Sequence, residues 1–363
     1  MPLNRIGLVV HQGRPAAVAA ARAARAWCAA HGVGCTDIDV WREGEPRRGG
    51  QAEADAAGHP ELILTFGGDG TFLRGARIAA KDGASVLGVN VGRVGFLTEI
   101  TTDQVEEALE VLHRDEAVIE DRMVLTMRAS RPLRTPVGLD TLLCYGRGPA
   151  LPAPAVRADS AEAVDWGVAL DVTAVNDVVL EKLARDRQAS VAVYLAGQLL
   201  ASYSADAVIV ATPTGSTAYS FAAGGPVVDP ATDAIVFTPV APHMAFGRTV
   251  IAAADEAVAM RVLPHSGRVA VSVDGQHRGV LDPGDWVAAY RAPYRLRLAR
   301  LAPLEFYHRL RERFHLTDAP ATAVDQAPLF HRPDTPPPED LAHLRDLRRP
   351  LPDRDVDGAR RAL

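Results

Sequence analysis

Apolar and polar positions follow two different rhythms along the chain, and the change of rhythm divides it. In the first third, short apolar runs lead into stretches of helical composition. "RIGLVV" (5–10) precedes an alanine-rich segment from Pro15 to His31, and "ELILTF" (61–66) precedes "TFLRGARIAAK" (71–81), stopped by Asp82-Gly83. "SVLGVNVG" (85–92) is the next strand, and a capping pattern at Thr101 to Gln104 opens a helix running to about Arg114. Strands alternating with helices predict a parallel sheet with helices on its faces. From Ala117 the pattern changes to successive strands: "AVIEDRMVLTMRA", "VAVYLAGQLLASYS" with a hairpin turn at Ala196-Gly197, "ADAVIVATP", "VAVSVDGQ" and "WVAAYRAPYRLRLARL".

The organisation predicted is an N-terminal α/β domain over 1–116 and a C-terminal β-rich, sandwich-like domain over 117–300. A segment rich in Pro, Gly and Ala, 131–167, reads as a long surface insertion in the second domain. The amphipathic segment "APLEFYHRLRERFHL" (302–316) predicts a helix within 301–320, and the proline- and charge-rich tail, 331–363, predicts disorder.

Composition narrows the class. A chain of 363 residues has room for two domains, and 48% hydrophobic with 23% charged residues is that of a soluble globular protein. A formal net charge of −6 argues against a protein that coats nucleic acid. Only Lys81 and Lys182 are lysines; every other side-chain base apart from histidine is arginine. Three cysteines, Cys28, Cys35 and Cys144, lack CxxC spacing, so neither a disulfide framework nor a zinc site is predicted and a reducing cytosol fits. The N-terminal "MPLNRIGLVVHQGRP" lacks the layout of a signal peptide and is interrupted too soon to span a membrane. The expectation is a cytoplasmic protein with no membrane or nucleic-acid partner.

The chemistry concentrates in "LILTFGGDGTFL" (62–73), where an apolar strand meets three glycines, one aspartate and a threonine. A strand, glycines and a helix start form the layout in which backbone N–H groups hold phosphate. The segment is neither of the familiar phosphate loops. A Walker A loop needs Gly-Lys before Ser or Thr, and Leu73 stands where GxGxxG needs its third glycine. A tight turn with Asp69 as a helix cap would account for the aspartate and one or two glycines. A second segment, "ATPTGSTAYSFAAGGPVVDP" (211–230), again runs small and hydroxyl residues into a helix, and two such loops suggest a cleft.

Together with "NVGRVGFL" (90–97), "VNDVVLEK" (175–182) and "SVDGQ" (272–276), these segments resemble the NAD kinase family in order and spacing, from about residue 60 to 316 without the insertion. The resemblance implies an NAD kinase-like fold, in which the 301–320 helix returns to the N-terminal domain. It also implies transfer of the γ-phosphoryl of ATP to the 2′-hydroxyl of the adenosine ribose of NAD, giving NADP, with Mg2+ alongside the nucleotide. By similarity, Gly67, Gly68, Gly70 and Thr71 meet phosphate, and Asp69 faces the accepting hydroxyl and takes its proton. Asn176 and Asp177 stand where the family has Asn-Glu, which reads adenine and ribose. Thr214, Ser216, Thr217, Ala218 and Tyr219 match the loop lining the adenosine pocket, Asp206 an aspartate near the nicotinamide end, and Asp274 the aspartate of a turn close to the phosphates. No protein metal ligands are assigned, and a homodimer or homotetramer is implied. Each residue also has a plain structural reading, Asp274 for instance as a hairpin corner. His243 reads as a structural hydrogen-bonder, and Arg248 as a turn cap or a phosphate contact.

Two departures matter. Asp177 is one methylene shorter than the family's glutamate, and "SYSA" with Ala207 replaces the usual basic, glycine-containing approach to Asp206. Beside NAD as acceptor stand a kinase of the same fold acting on another nucleoside or nucleotide hydroxyl, and an inactive nucleotide-binding regulator, against which the unbroken "GGDGT" speaks.

Overall fold

The computed structural model describes residues 3–40, 54–92, 95–134, 136, 167–183, 188–243, 246–302 and 306–316. Most of the insertion predicted over 131–167 and the whole of the tail predicted over 331–363 lie outside them.

The first rhythm folds as its pattern predicts. β1 (Arg5–Val10), β2 (Gly34–Asp37), β3 (Leu62–Gly67) and β4 (Ser85–Asn90) form parallel pairs in the order β4-β3-β1-β2. β3 and β4 are buried at every residue, as a parallel sheet covered on both faces requires. One face carries α1 (Pro15–His31), which buries Ala17, Ala20, Ala21, Ala24, Trp27 and Cys28 at helical spacing and ends on Gly32 in the left-handed region. The same apolar cluster takes in α3 (Val105–His113), through Val105, Ala108, Leu109 and Leu112. Before α3, Thr101 and Gln104 form the predicted capping box around a 3-10 turn, and a two-residue strand, β5 (Ile100–Thr101), pairs with β4. The other face carries α2 (Asp69–Asp82), stopped at Gly83, also left-handed.

The second rhythm gives two sheets packed face to face. One holds β6 (Val118–Ala129), β7 (Val168–Ala174), β9 (Ala189–Leu195), β10 (Gln198–Ala205), β14 (Val258–Val262) and β17 (Trp286–Arg300). The other has the order β13-β12-β11-β8-β15-β16, with β8 (Asp177–Lys182), β11 (Ala207–Ala211), β12 (Ala234–Val240), β13 (Val250–Ala253), β15 (Val269–Val273) and β16 (Gln276–Leu281). Met123, Met127, Val191 and Met260 of the first sheet meet Leu180, Val210, Phe237 and Val271 of the second in one apolar core, so this half is a sandwich. The β9–β10 turn is the predicted Ala196-Gly197, both at positive φ (50° and 75°), as a two-residue hairpin of type I′ demands.

β17 joins the halves. Its early residues pair with β14 and β6, and its end runs parallel to β4 at Arg297–Ser85 and Leu298–Val86. The α/β and β-rich parts are therefore linked by main-chain hydrogen bonds across one continuous sheet. A short helix, α4 (Tyr219–Ala222), follows β11. The helix predicted within 301–320 is α5 (Phe306–Phe314), which belongs to a separate unit.

Candidate active site

β3 is apolar up to Phe66 and delivers the chain to Gly68, extended at φ −110°, ψ −169°, from which α2 starts at Asp69. The Thr71 and Phe72 amides donate to the Gly68 carbonyl at 2.9 and 3.0 Å and close the first turn. The three glycines turn out to differ. A Cβ on Gly67 would overlap the Thr71 side chain, itself buried, so Gly67 and Thr71 are a packing pair within the turn. At Gly68 and Gly70 a Cβ would meet no atom within 4 Å, and neither residue has positive φ. Packing and φ therefore give no reason for glycine at 70, and at 68 only the mild preference of a helix N-cap for glycine over most apolar residues. Close approach of a ligand does.

Asp69 is not the helix cap considered from sequence. Gly68 holds that position, and Asp69 is the first helical residue. Its carboxylate turns to the "NVGRVGFL" segment and accepts the amides of Phe96 (3.2 Å) and Leu97 (3.3 Å). A Cβ on Gly95 would overlap this carboxylate, which explains that glycine. The Gly95 amide donates to Thr98 Oγ1 at 3.2 Å, and the Asn90 side chain bridges the Gly92 amide and carbonyl, both at 3.1 Å. The result is a fixed loop built around one half-buried carboxylate.

The second loop is laid on the start of β8. The Thr212 amide donates to the Asn176 carbonyl (2.9 Å), the Thr212 hydroxyl donates to the Val175 carbonyl, and the Gly215 amide donates to that hydroxyl (2.9 Å). A Cβ on Gly215 would overlap the Asn176 backbone, so the two segments touch main chain to main chain. Asp274 has positive φ (49°), and its buried carboxylate accepts the amides of Val175 (2.9 Å), Asn176 (2.7 Å) and Asp177 (3.1 Å). Burial pushes the Asp274 carboxyl above its usual range, and the three amides with nearby Arg278 pull it back. The structure thus assigns Asp274 to holding residues 175–177 in place.

Asp177 is 4% exposed. Burial first, and then repulsion from Asp274, push its carboxyl up to about 7, against the pull of the nearby Tyr219 amide. Asn176 is half-buried, and its side chain takes no partner among the described residues. Ser216 is 0% exposed, with its hydroxyl bonded to the Val228 amide (2.9 Å) and carbonyl (3.3 Å). Thr214, Thr217 and Ala218 are half-buried, and Tyr219 is exposed.

One apolar cluster ties the two loops together. It contains Phe72 of α2, Leu97 whose amide holds Asp69, and Val175 whose amide meets Asp274. Arg77 of α2 also reaches Gln276 beside the 274–275 turn, at 3.4 Å. Asp206 stands apart from this assembly. It pairs with Lys182 at the far end of β8, five residues and about 17 Å along the strand from Asp177. His243 and Arg248 are exposed, and the His243 amide donates to the Ser204 carbonyl. Lys182, Thr212 and Gly95 went unassigned in the sequence, although Lys182 was visible as one of only two lysines. The amides of Phe96, Leu97 and Tyr219 carry no side-chain signal at all. Among the described residues no group of three or more His, Cys, Asp or Glu could hold a metal ion, and no helix is long and apolar enough to cross a membrane.

The chain matches the ATP-NAD kinase N-terminal domain over residues 28–117 and the ATP-NAD kinase C-terminal domain over 175–301. It is 64% identical over 345 residues to NAD kinase 1 of Streptomyces avermitilis, covering 95% of this chain and 96% of that protein. With the NAD kinase of Symbiobacterium thermophilum it shares 37% over 262 residues, 72% of this chain and 81% of that one. Two solved structures are similar in fold. Yeast NADH kinase complexed with NADH has a TM-score of 0.65 at 19% identity, covering 92% of this chain and 91% of its own. An NAD kinase from Archaeoglobus fulgidus in complex with ATP has a TM-score of 0.57 at 18% identity, covering 86% and 98%. With both domains matched in order, and a relative of high identity aligned over nearly its whole length, the chain belongs to the NAD kinase family.

Proposed function

We propose that this NAD kinase carries out transfer of the γ-phosphoryl of ATP to the adenosine ribose 2′-hydroxyl of NAD at the crevice between the Asp69 loop and the 212–219 loop. The observation that carries the site is the pair Gly68 and Gly70, bare backbone over open space on either side of a carboxylate held by two amides. Gly68, Gly70 and the first-turn amides of α2 take phosphate oxygens, with Gly67 and Thr71 shaping the turn beneath. Asp69, fixed by Phe96 and Leu97, faces the accepting hydroxyl and takes its proton. Phosphoryl transfer needs in-line positioning and charge neutralisation more than covalent chemistry, so a single rigid carboxylate is sufficient. Asn176, Thr214, Thr217, Ala218 and Tyr219 form the adenosine cradle, and Asp206 with Lys182 serves the nicotinamide end.

Mg2+ would enter alongside ATP and supply charge neutralisation there. Self-association into a dimer or tetramer is supported by Leu199 and Ile251, 58% and 56% exposed on the edge strands β10 and β13. A cytoplasmic setting is supported by the free thiols of Cys28 and Cys35.

The test is incubation with ATP, Mg2+ and NAD, following ADP release and the phosphorus NMR spectrum of the product. A new 2′-phosphomonoester resonance with stoichiometric ADP is the expected result. Robust phosphorylation of a mononucleoside with NAD turnover at background would overturn NAD as the acceptor.

A further inference from the structure

The parallel sheet has one place where its connections change direction. β1 leads to β2 through α1, which packs in one apolar layer, and β3 leads to β4 through α2, which packs in the other. β1 and β3 are neighbours, so the helices that follow them start next to one another at the carboxyl ends of the strands and leave on opposite faces. Such a switch point opens a crevice, which is where open α/β sheets place ligands. Gly68 stands at the N-cap of α2 on one side of it, and Arg14 at the N-cap of α1 on the other.

The course of the Arg14 side chain follows from its neighbours. Its amide donates to the His11 carbonyl (3.0 Å), and its carbonyl accepts the amides of Ala17 and Val18 at 3.0 and 3.2 Å, which anchors its backbone just beyond β1. The His11 amide donates to the Phe66 carbonyl (3.0 Å) and the Val91 amide to the Gly67 carbonyl (3.1 Å), so β1, β3 and β4 end at the same edge. A Cβ built on Gly92, just past β4, would lie 3.4 Å from Arg14 Nη1. An arginine rooted beyond β1 that reaches a residue beyond β4 has to pass the end of the strand between them. That strand is β3, at the point where Gly67 leads into Gly68. Arg14 is exposed, its guanidinium has no hydrogen-bond or ion-pair partner among the described residues, and the first turn of α1 contains no acid that could take it up.

We propose that Arg14 is a substrate-binding residue: its guanidinium closes the open side of the crevice over Gly67 and Gly68 and donates to the terminal phosphate oxygens of ATP. The inference rests on the reading of Gly68 and Gly70 as the phosphate floor, and adds the side chain that faces that floor. α2 offers backbone amides and the positive end of its dipole from one side. A planar guanidinium offers two parallel N–H donors from the other, a geometry that matches a phosphate better than a point charge does. Negative charge lying between them is neutralised from both sides, which is what phosphoryl transfer asks of a protein.

The test is Arg14→Gln beside Arg14→Lys, each followed by equilibrium binding of ATP and of adenosine to the free protein and by steady-state kinetics with ATP and NAD varied in turn. Tm of both variants stays at the wild-type value, because the side chain holds nothing in the free protein. Arg14→Gln weakens ATP binding and lowers kcat/KM for ATP by about 10–150-fold, the range for a lost charge-assisted hydrogen bond. Adenosine binding and KM for NAD do not change. Lysine keeps the charge without the planar fork and recovers part of the loss. Unaltered ATP binding in Arg14→Gln, an equal loss for adenosine, or a loss confined to NAD overturns the proposal. So does a loss that disappears at high salt, where a charge acting from a distance is screened. Wild-type protein that binds ATP without turning over NAD would instead sink the NAD kinase reading, and ATP binding by the two variants would still judge Arg14.

Discussion

Gly68→Ala separates stability from function. Gly68 is extended (φ −110°, ψ −169°), a conformation alanine adopts freely, and its Cβ would point into space with no atom within 4 Å. The unfolded chain loses conformational freedom, worth about 0.4–1 kcal/mol, and alanine is poorer than glycine at the N-cap that Gly68 holds, by about 0.5–1.5 kcal/mol. The two largely cancel, so Tm should move by no more than about 2 °C either way. A phosphate oxygen bonded to this backbone approaches to about 2.9 Å of a nitrogen, and the methyl stands in its path. Losing one charge-assisted hydrogen bond, about 1.5–3 kcal/mol, lowers kcat/KM for ATP by about 10–150-fold. The assays are thermal denaturation of the free protein and steady-state kinetics with ATP varied at saturating NAD. Gly67→Ala is the contrast, because its Cβ overlaps the Thr71 side chain and overpacking costs about 1–3 kcal/mol. A Gly68→Ala protein with near-normal Tm and unaltered kcat/KM for ATP would refute the phosphate floor. A fall of several degrees would refute the open space above it.

Asp69→Asn removes the proton acceptor at constant volume, and steady-state assays should find kcat lower by about 10²-fold or more with KM for ATP little changed. Gly95→Ala should also act on kcat, since the new methyl displaces the Asp69 carboxylate from the Phe96 and Leu97 amides; normal kcat would show that the clasp does not orient Asp69. For Asp177, folded near 7 against an ordinary 3.8, the raised value means that the native state holds the proton more tightly. Its stability contribution is complete below about pH 4 and is lost as pH rises to about 7, a ceiling of about 4 kcal/mol at 1.36 kcal/mol per pKa unit. Thermal melts should therefore show the Tm of Asp177→Asn gaining on wild type between pH 4 and 7 and running parallel above; a constant difference would contradict the burial argument. The Tyr203 hydroxyl is buried in the sandwich core with no hydrogen-bond partner among the described residues, so Tyr203→Phe should be neutral or stabilising by about 1–2 kcal/mol in urea unfolding. A loss above about 1 kcal/mol would place an internal partner, such as water, at that oxygen.

Local features were legible in the sequence because their causes are local. The apolar runs of β3 and β4, the alanine stripe of α1, the stop at Gly83 and the turn at Ala196-Gly197 each depend on residues within a few positions. The glycine-aspartate loop was recognisable for the same reason: a strand end, bare backbone and a helix start are contiguous. What tertiary structure alone decided lies at long range. β17 is one apolar strand by pattern, yet its pairing with β14, β6 and β4, which makes one sheet of two halves, depends on partners up to about two hundred residues away. Asp69 was visible as a carboxylate, but its amide partners at Phe96 and Leu97 were not, because every non-proline residue carries the same N–H. Ser216 and Asp177 show the limit most sharply. Their residue types fit a ligand surface, and only packing shows that one is bonded to Val228 and the other buried at the start of β8. Sequence determines which polar groups a site has available; burial, set by segments distant in the chain, decides which of them face the ligand and which hold the others in place.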